Sequence, residues 1–132
     1  MKSSECSGRT LAFLGDAVWS LKVREWLVEG KKGGGNRLQR ESIRYVSAKA
    51  QADFYERLHE EGFFTEEEEE TFRRGRNGNA GTVPHNTDVG TYRISTGFEA
   101  VIGALYLEKN ERRIEEIWEK IRSLKGADSC HN

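Results

Sequence analysis

The 132-residue chain contains one proline, two cysteines, and no apolar run of the roughly 20 residues a membrane-spanning helix needs. The cysteines, Cys6 and Cys130, sit near opposite ends and match no metal-ligand spacing, which suits two free thiols in a cytoplasmic protein. The N-terminal MKSSECSGR supplies Lys2 but no continuous hydrophobic segment after it, because Asp16 interrupts the first apolar stretch, so the pattern is not that of a secretory signal. No internal repeat and no alternating strand pattern can be found. Helical periodicity runs almost throughout, and the expectation is one all-α domain over residues 1–132, with a core from about 9 to 124.

The chain also has little net charge: 21 basic against 22 acidic side chains, a balance that argues against indiscriminate nucleic-acid binding. The charges are nevertheless segregated. Residues 31–49 carry six basic side chains against Glu41, residues 50–72 carry nine acids against Arg57, and residues 73–93 return to Arg73, Arg74, Arg76 and Arg93 against Asp88. Local basic patches therefore remain available for a polyanion.

The first helix is expected over about Thr10 to Val28, ended by the glycine-rich EGKKGGGN. A second helical region starts near Asn36, with Ile43, Val46, Ala50, Phe54 and Leu58 on its core face. Ser47 has the chemistry of a cap within it, so one bent helix and two short ones both satisfy the pattern. In FFTEEEEETFRRG, Thr65 and Glu68 have capping-box spacing, acids fill the first turns and Arg73 and Arg74 fill the last before Gly75. The five glutamates read as a solvated, dipole-matched helix start. GRNGNAGTVPHNTDVGTYR reads as a long loop, followed by an apolar helix from about Ser95 to Leu107 and an amphipathic one carrying Ile114, Ile117, Trp118, Ile121 and Leu124.

Two of these helices each carry a carboxylate out of character with its surroundings. Asp16 lies among Leu11, Phe13, Leu14, Ala17, Val18, Trp19 and Leu21, and Glu99 is the only charged residue between Gly97 and Leu107. An ionised carboxylate in an apolar setting needs neutralisation, an ion pair or a metal ion. Gly97, Ala100, Gly103 and Ala104 would let another helix approach Glu99 closely. If Asp16 faces Glu99, a cation is what reconciles them, and Mg²⁺ accepts two oxygen ligands while keeping several waters. The competing arrangement pairs Asp16 with Arg9 or Arg93 and sets Glu99 at a helix N-terminus. Spacing alone leaves both open.

LAFLGDAV and, far downstream, TGFEAVIGALYLE resemble the two active-site helices of the ribonuclease III family. RYVSAKAQ, FFTEEEE, RRGRN, NTDVGTYR and STGFEA follow in the order expected of Mini-ribonuclease III, the small bacterial branch lacking a double-stranded-RNA-binding domain. The resemblance covers about residues 9–124. It implies that Asp16 and Glu99 bind Mg²⁺, with Mn²⁺ as an alternative, and are the catalytic residues in hydrolysis of double-stranded RNA to 5′-phosphate and 3′-hydroxyl ends. It also implies a cytoplasmic homodimer with one site per subunit, acting on precursor 23S ribosomal RNA; the modest, salt-dependent affinity expected without a second RNA-binding domain points to a ribosomal protein that presents the RNA as a partner. Longer family members carry further acids where this chain has Arg9, Ala12 and Thr96. Two carboxylates point to one firmly held ion, a second being available through the RNA phosphate, and leave Thr96 as a supporting residue. A non-catalytic RNA-binding or ribosome-associated module with the same fold is the alternative.

Two stretches are candidates for RNA contact. Arg37, Arg40, Arg44, Ser47 and Gln51 fall at spacings of three and four, a polar stripe suited to the phosphates and 2′-hydroxyls through which A-form RNA is recognised. The second comprises Arg73, Arg74 and Arg76 with Asn77, Asn79 and His85 in the loop that follows. An ordinary solvated helix face would carry the same charges.

Overall fold

A computed structural model describes residues 1–30, 33–78, 83, 85 and 87–130, with side chains as far as residue 126. Among these residues there are six α-helices, a short 3₁₀ turn over Ser3–Glu5, and no strand. The helices are α1 (Gly8–Glu29), α2 (Gly35–Val46), α3 (Ala48–Glu60), α4 (Glu66–Asn77), α5 (Val89–Leu107) and α6 (Glu111–Cys130). The chain is all-α, as its periodicity predicts.

The most deeply buried helix is α5. Ser95, Gly97, Phe98 and every residue from Ala100 to Leu105 are buried, because α1, α3 and α4 all pack around it. Its approach to α1 depends on two missing side chains. A Cβ at Gly15 would overlap the Glu99 carbonyl, and one at Gly103 would overlap the Leu11 carbonyl, so only glycine permits this backbone-to-backbone crossing. The core beside it is aromatic. Trp19 meets Phe98 and Trp118 edge-on, with centroids 5.1 and 5.4 Å apart, and its indole N–H donates to the Tyr45 carbonyl at 2.9 Å. This anchor fixes α1, and therefore Asp16, against the end of α2.

Ser47 settles the second helical region as two helices. It closes α2 and starts α3, its Oγ accepting from the Ala50 amide at 3.1 Å. The Thr65–Glu68 capping box forms as expected. Four expectations need correction. Ile43, expected on the core face, is 49% exposed on α2. The glutamate run is not wholly solvated: Glu68 is buried and takes a two-pronged ion pair from Arg113, at 2.8 and 2.9 Å, while the Arg113 guanidinium also donates to the Phe63 carbonyl. Gly75 does not end α4; it lies inside the helix against Gly97, Ala100 and the Thr96 carbonyl. Finally, α5 begins at Val89, six residues ahead of Ser95, because Asp88 caps it by accepting from the Thr91 amide at 3.0 Å.

Candidate active site

The crossing of α1 and α5 brings the two anomalous carboxylates together. Asp16 follows Gly15, and the Glu99 carbonyl is what the missing Gly15 side chain makes room for. The Glu99 carboxyl is hydrogen-bonded to Asp16. Glu99 is in the middle of α5, not at its N-terminus, and it is Glu99 rather than an arginine that faces Asp16. Burial, the Asp16 hydrogen bond and the Asp16 charge push Glu99 up from an ordinary 4.5 to about 9. Glu99 therefore holds its proton at neutral pH.

Asp16 itself is exposed on the single chain. The abundance of apolar residues around it has a different explanation from all-round burial. Leu11, Trp19, Val23 and Leu27 face the core, whereas Phe13 and Leu21 are 84% and 67% exposed and Ala17 lies exposed between them. Residues 13, 17 and 21 form a second apolar stripe at four-residue spacing, and Asp16 sits between the two faces.

Gln51 departs most from the sequence reading. It is 1% exposed and so cannot share a solvent-facing stripe with the arginines. Its side-chain N–H groups donate to Glu99 Oε2 at 3.3 Å and to the Val46 carbonyl at 3.2 Å. The break at Ser47 resets the helical phase, turning the first turn of α3 inward toward α5. Arg37, Arg40 and Arg44 remain exposed on α2, with Arg44 paired to Glu41 at 3.2 Å. Ser47 is spent as a cap.

The second set of candidates is divided. Arg73 is exposed and paired with Glu70 at 2.8 Å, whereas Arg74 donates to the Cys6 carbonyl and ties α4 to the N-terminal segment. Arg76 lies over the Phe72 ring and donates to Asn77 Oδ1 at 3.0 Å. Asn77 and His85 are exposed; Asn79 lies outside the described residues. The end of α4 packs on Thr96, Gly97 and Ala100, so these groups are carried on an element that touches the same stretch of α5 as Glu99. Thr96 gives its hydroxyl to the Tyr92 carbonyl at 3.0 Å, one turn from Glu99.

Comparison with known proteins decides the family. The ribonuclease III domain family matches residues 9–110. This chain belongs to the ribonuclease III family. Among curated relatives, a Mini-ribonuclease 3 from Staphylococcus aureus is 50% identical over 112 residues, spanning 85% of this chain and 84% of the relative. The Mini-ribonuclease 3 of Streptococcus pneumoniae is 48% identical, spanning 84% of this chain and 87% of the relative. A crystal structure of a Fusobacterium nucleatum protein superposes with a TM-score of 0.78 at 34% identity, covering 87% of this chain and 92% of that one. Membership of the ribonuclease III family makes the chain an endoribonuclease, and the match includes both Asp16 and Glu99. No helix among the described residues is long and apolar enough to cross a membrane.

Proposed function

We propose that this member of the ribonuclease III family hydrolyses phosphodiesters in double-stranded RNA at a divalent-cation site formed by Asp16 and Glu99. The observation that carries the proposal is the hydrogen-bonded meeting of the two carboxylates at the α1–α5 crossing. The donor set fits a hard cation. Among the described residues no group of three or more His, Cys, Asp or Glu could hold a metal, so this site offers two carboxylates and leaves the remaining positions to water. That is the environment of Mg²⁺, or of Mn²⁺ in its place, rather than of a metal favouring nitrogen and sulfur. When bound, the cation supplies a water of lowered pKa and neutralises charge on the phosphate.

The protein's part is to hold and release a proton and to align the substrate. Glu99 holds a proton at neutral pH and would have to release it to hold a cation as a carboxylate beside Asp16. The exposed Arg37, Arg40 and Arg44 on α2, together with Arg73 and Arg76 at the end of α4, place positive charge where phosphates of a duplex can be held. The Phe13–Ala17–Leu21 stripe supports a homodimer in which each subunit supplies one site, so that both RNA strands are cut. By kinship with the Mini-ribonuclease 3 enzymes, the physiological substrate is precursor 23S ribosomal RNA in the cytoplasm, presented by a ribosomal protein.

Incubating a duplex RNA with wild type, Asp16→Asn and Glu99→Gln, with and without Mg²⁺, tests the core of this reading. Wild type should cleave only with the cation, and each substitution should lower the rate at least a hundredfold. Cleavage indifferent to both substitutions would remove the site. Binding without cleavage under every divalent ion would favour a non-catalytic module.

A further inference from the structure

Gln51 is a polar side chain sealed at the junction of three helices. It extends from α3, contacts Glu99 on α5, and through Glu99 connects to Asp16 on α1. Its amide orientation is fixed by chemistry. The Val46 carbonyl, at the last residue of α2, can only accept, so the NH₂ end must face it. Turning the amide over would set Oε1 against that carbonyl. In the required orientation the NH₂ group serves both Val46 and Glu99, and Oε1 is left buried without a protein donor. A buried acceptor without a donor is costly, and a leucine or methionine would fill the same space without that cost.

We propose that Gln51 is a positioning residue of the cleavage site: it holds the Glu99 carboxylate beside Asp16 and offers its amide oxygen to a water molecule that enters with the cation. The inference rests on the cation-dependent reading above and deepens it. A side chain needed only to satisfy Val46 would use its NH₂ alone. Here the same NH₂ also orients a carboxyl oxygen of Glu99, and the remaining amide oxygen suits a donor such as the water a hydrated cation would carry. Groups that orient a metal-binding carboxylate typically change metal affinity ten- to a hundredfold when lost.

The test measures Mn²⁺ binding to the full chain without RNA, by the electron paramagnetic resonance of the free ion. Wild type, Gln51→Leu, Gln51→Met and Asp16→Asn are compared. Both Gln51 substitutions should weaken Mn²⁺ binding about tenfold without lowering thermal melting and with the affinity for duplex RNA in EDTA unchanged. Their cleavage rate should fall at low Mn²⁺ and recover as Mn²⁺ is raised. Unchanged Mn²⁺ affinity in both variants would overturn the proposal, as would a loss confined to RNA affinity. A large drop in melting temperature in both would assign Gln51 a structural role instead. Asp16→Asn separates the two readings. If it binds Mn²⁺ like wild type, the cation site itself is wrong. If it loses binding while both Gln51 variants keep it, only the role of Gln51 fails.

Discussion

Glu99 concentrates the electrostatic cost of this protein on one side chain. Its value of about 9 in the folded chain, against an ordinary 4.5, means that the native state binds one more proton than the unfolded state between those limits. Stability of the metal-free protein therefore falls as pH rises through that window. In EDTA, the melting temperature should be lower at pH 8.5 than at pH 5.5. Glu99→Gln, which cannot ionise and keeps the shape, should flatten that dependence and raise the melting temperature at pH 8.5 by several degrees, at roughly 4 °C per kcal/mol for a chain of this size. A slope that persists in Glu99→Gln would place the titrating group elsewhere. The substitution that stabilises the fold is thus also expected to abolish cleavage, as happens where function holds charge in an unfavourable place.

Among the helices, the geometry of the site depends on contacts that have almost no side chain. Gly15 and Gly103 let α1 and α5 cross with backbone against backbone, and this crossing sets the separation of Asp16 and Glu99. Gly15→Ala and Gly103→Ala should each cost about 1–3 kcal/mol by overpacking, measured by urea denaturation, and cut cleavage more than their stability loss explains. Gly126→Ala, inside α6 where a Cβ meets open space, is the control: it should lower neither stability nor cleavage. Much at this scale was legible beforehand. Isolated acids at positions 16 and 99, small neighbours around Glu99, and the Thr65–Glu68 capping box all carry local chemical signals that survive into the fold. The inward turn of Gln51 was not legible. It depends on Ser47 capping α3 instead of continuing α2, a choice between two helical solutions made by packing against α5. Burial of Glu68 was hidden for a related reason, since its partner Arg113 is 45 residues away and nothing near Glu68 announces it. The early start of α5 had a signal, Asp88 three residues before Thr91, masked by the Gly- and Asn-rich sequence ahead of it.

At the scale of the whole molecule, one chain presents an apolar stripe, an acidic pair and two sets of arginines. Phe13 and Leu21 are too exposed for a helix whose other face is fully packed, and a second protomer is the cover proposed for them. Phe13→Glu and Leu21→Glu should shift the protein to a monomer in sedimentation velocity, and the monomer should lose coordinated cleavage of both strands; a wild-type profile in both variants would exclude this face. Duplex affinity should fall steeply with salt, and each of Arg37→Ala, Arg40→Ala and Arg44→Ala should lower the slope of log affinity against log salt by about 1 if that side chain meets a phosphate. A slope unchanged in all three would leave α2 as a solvated face.

All of this depends on the claim that two carboxylates from separate helices share one cation, and that the cation displaces the proton held by Glu99. Titration calorimetry of Mn²⁺ binding at pH 7, in two buffers of different ionisation enthalpy, measures both at once. One ion per protomer and about one released proton are expected for wild type, with binding lost in Asp16→Asn and proton release lost in Glu99→Gln. Wild-type binding that releases no proton, or that survives unchanged in both variants, would contradict the account.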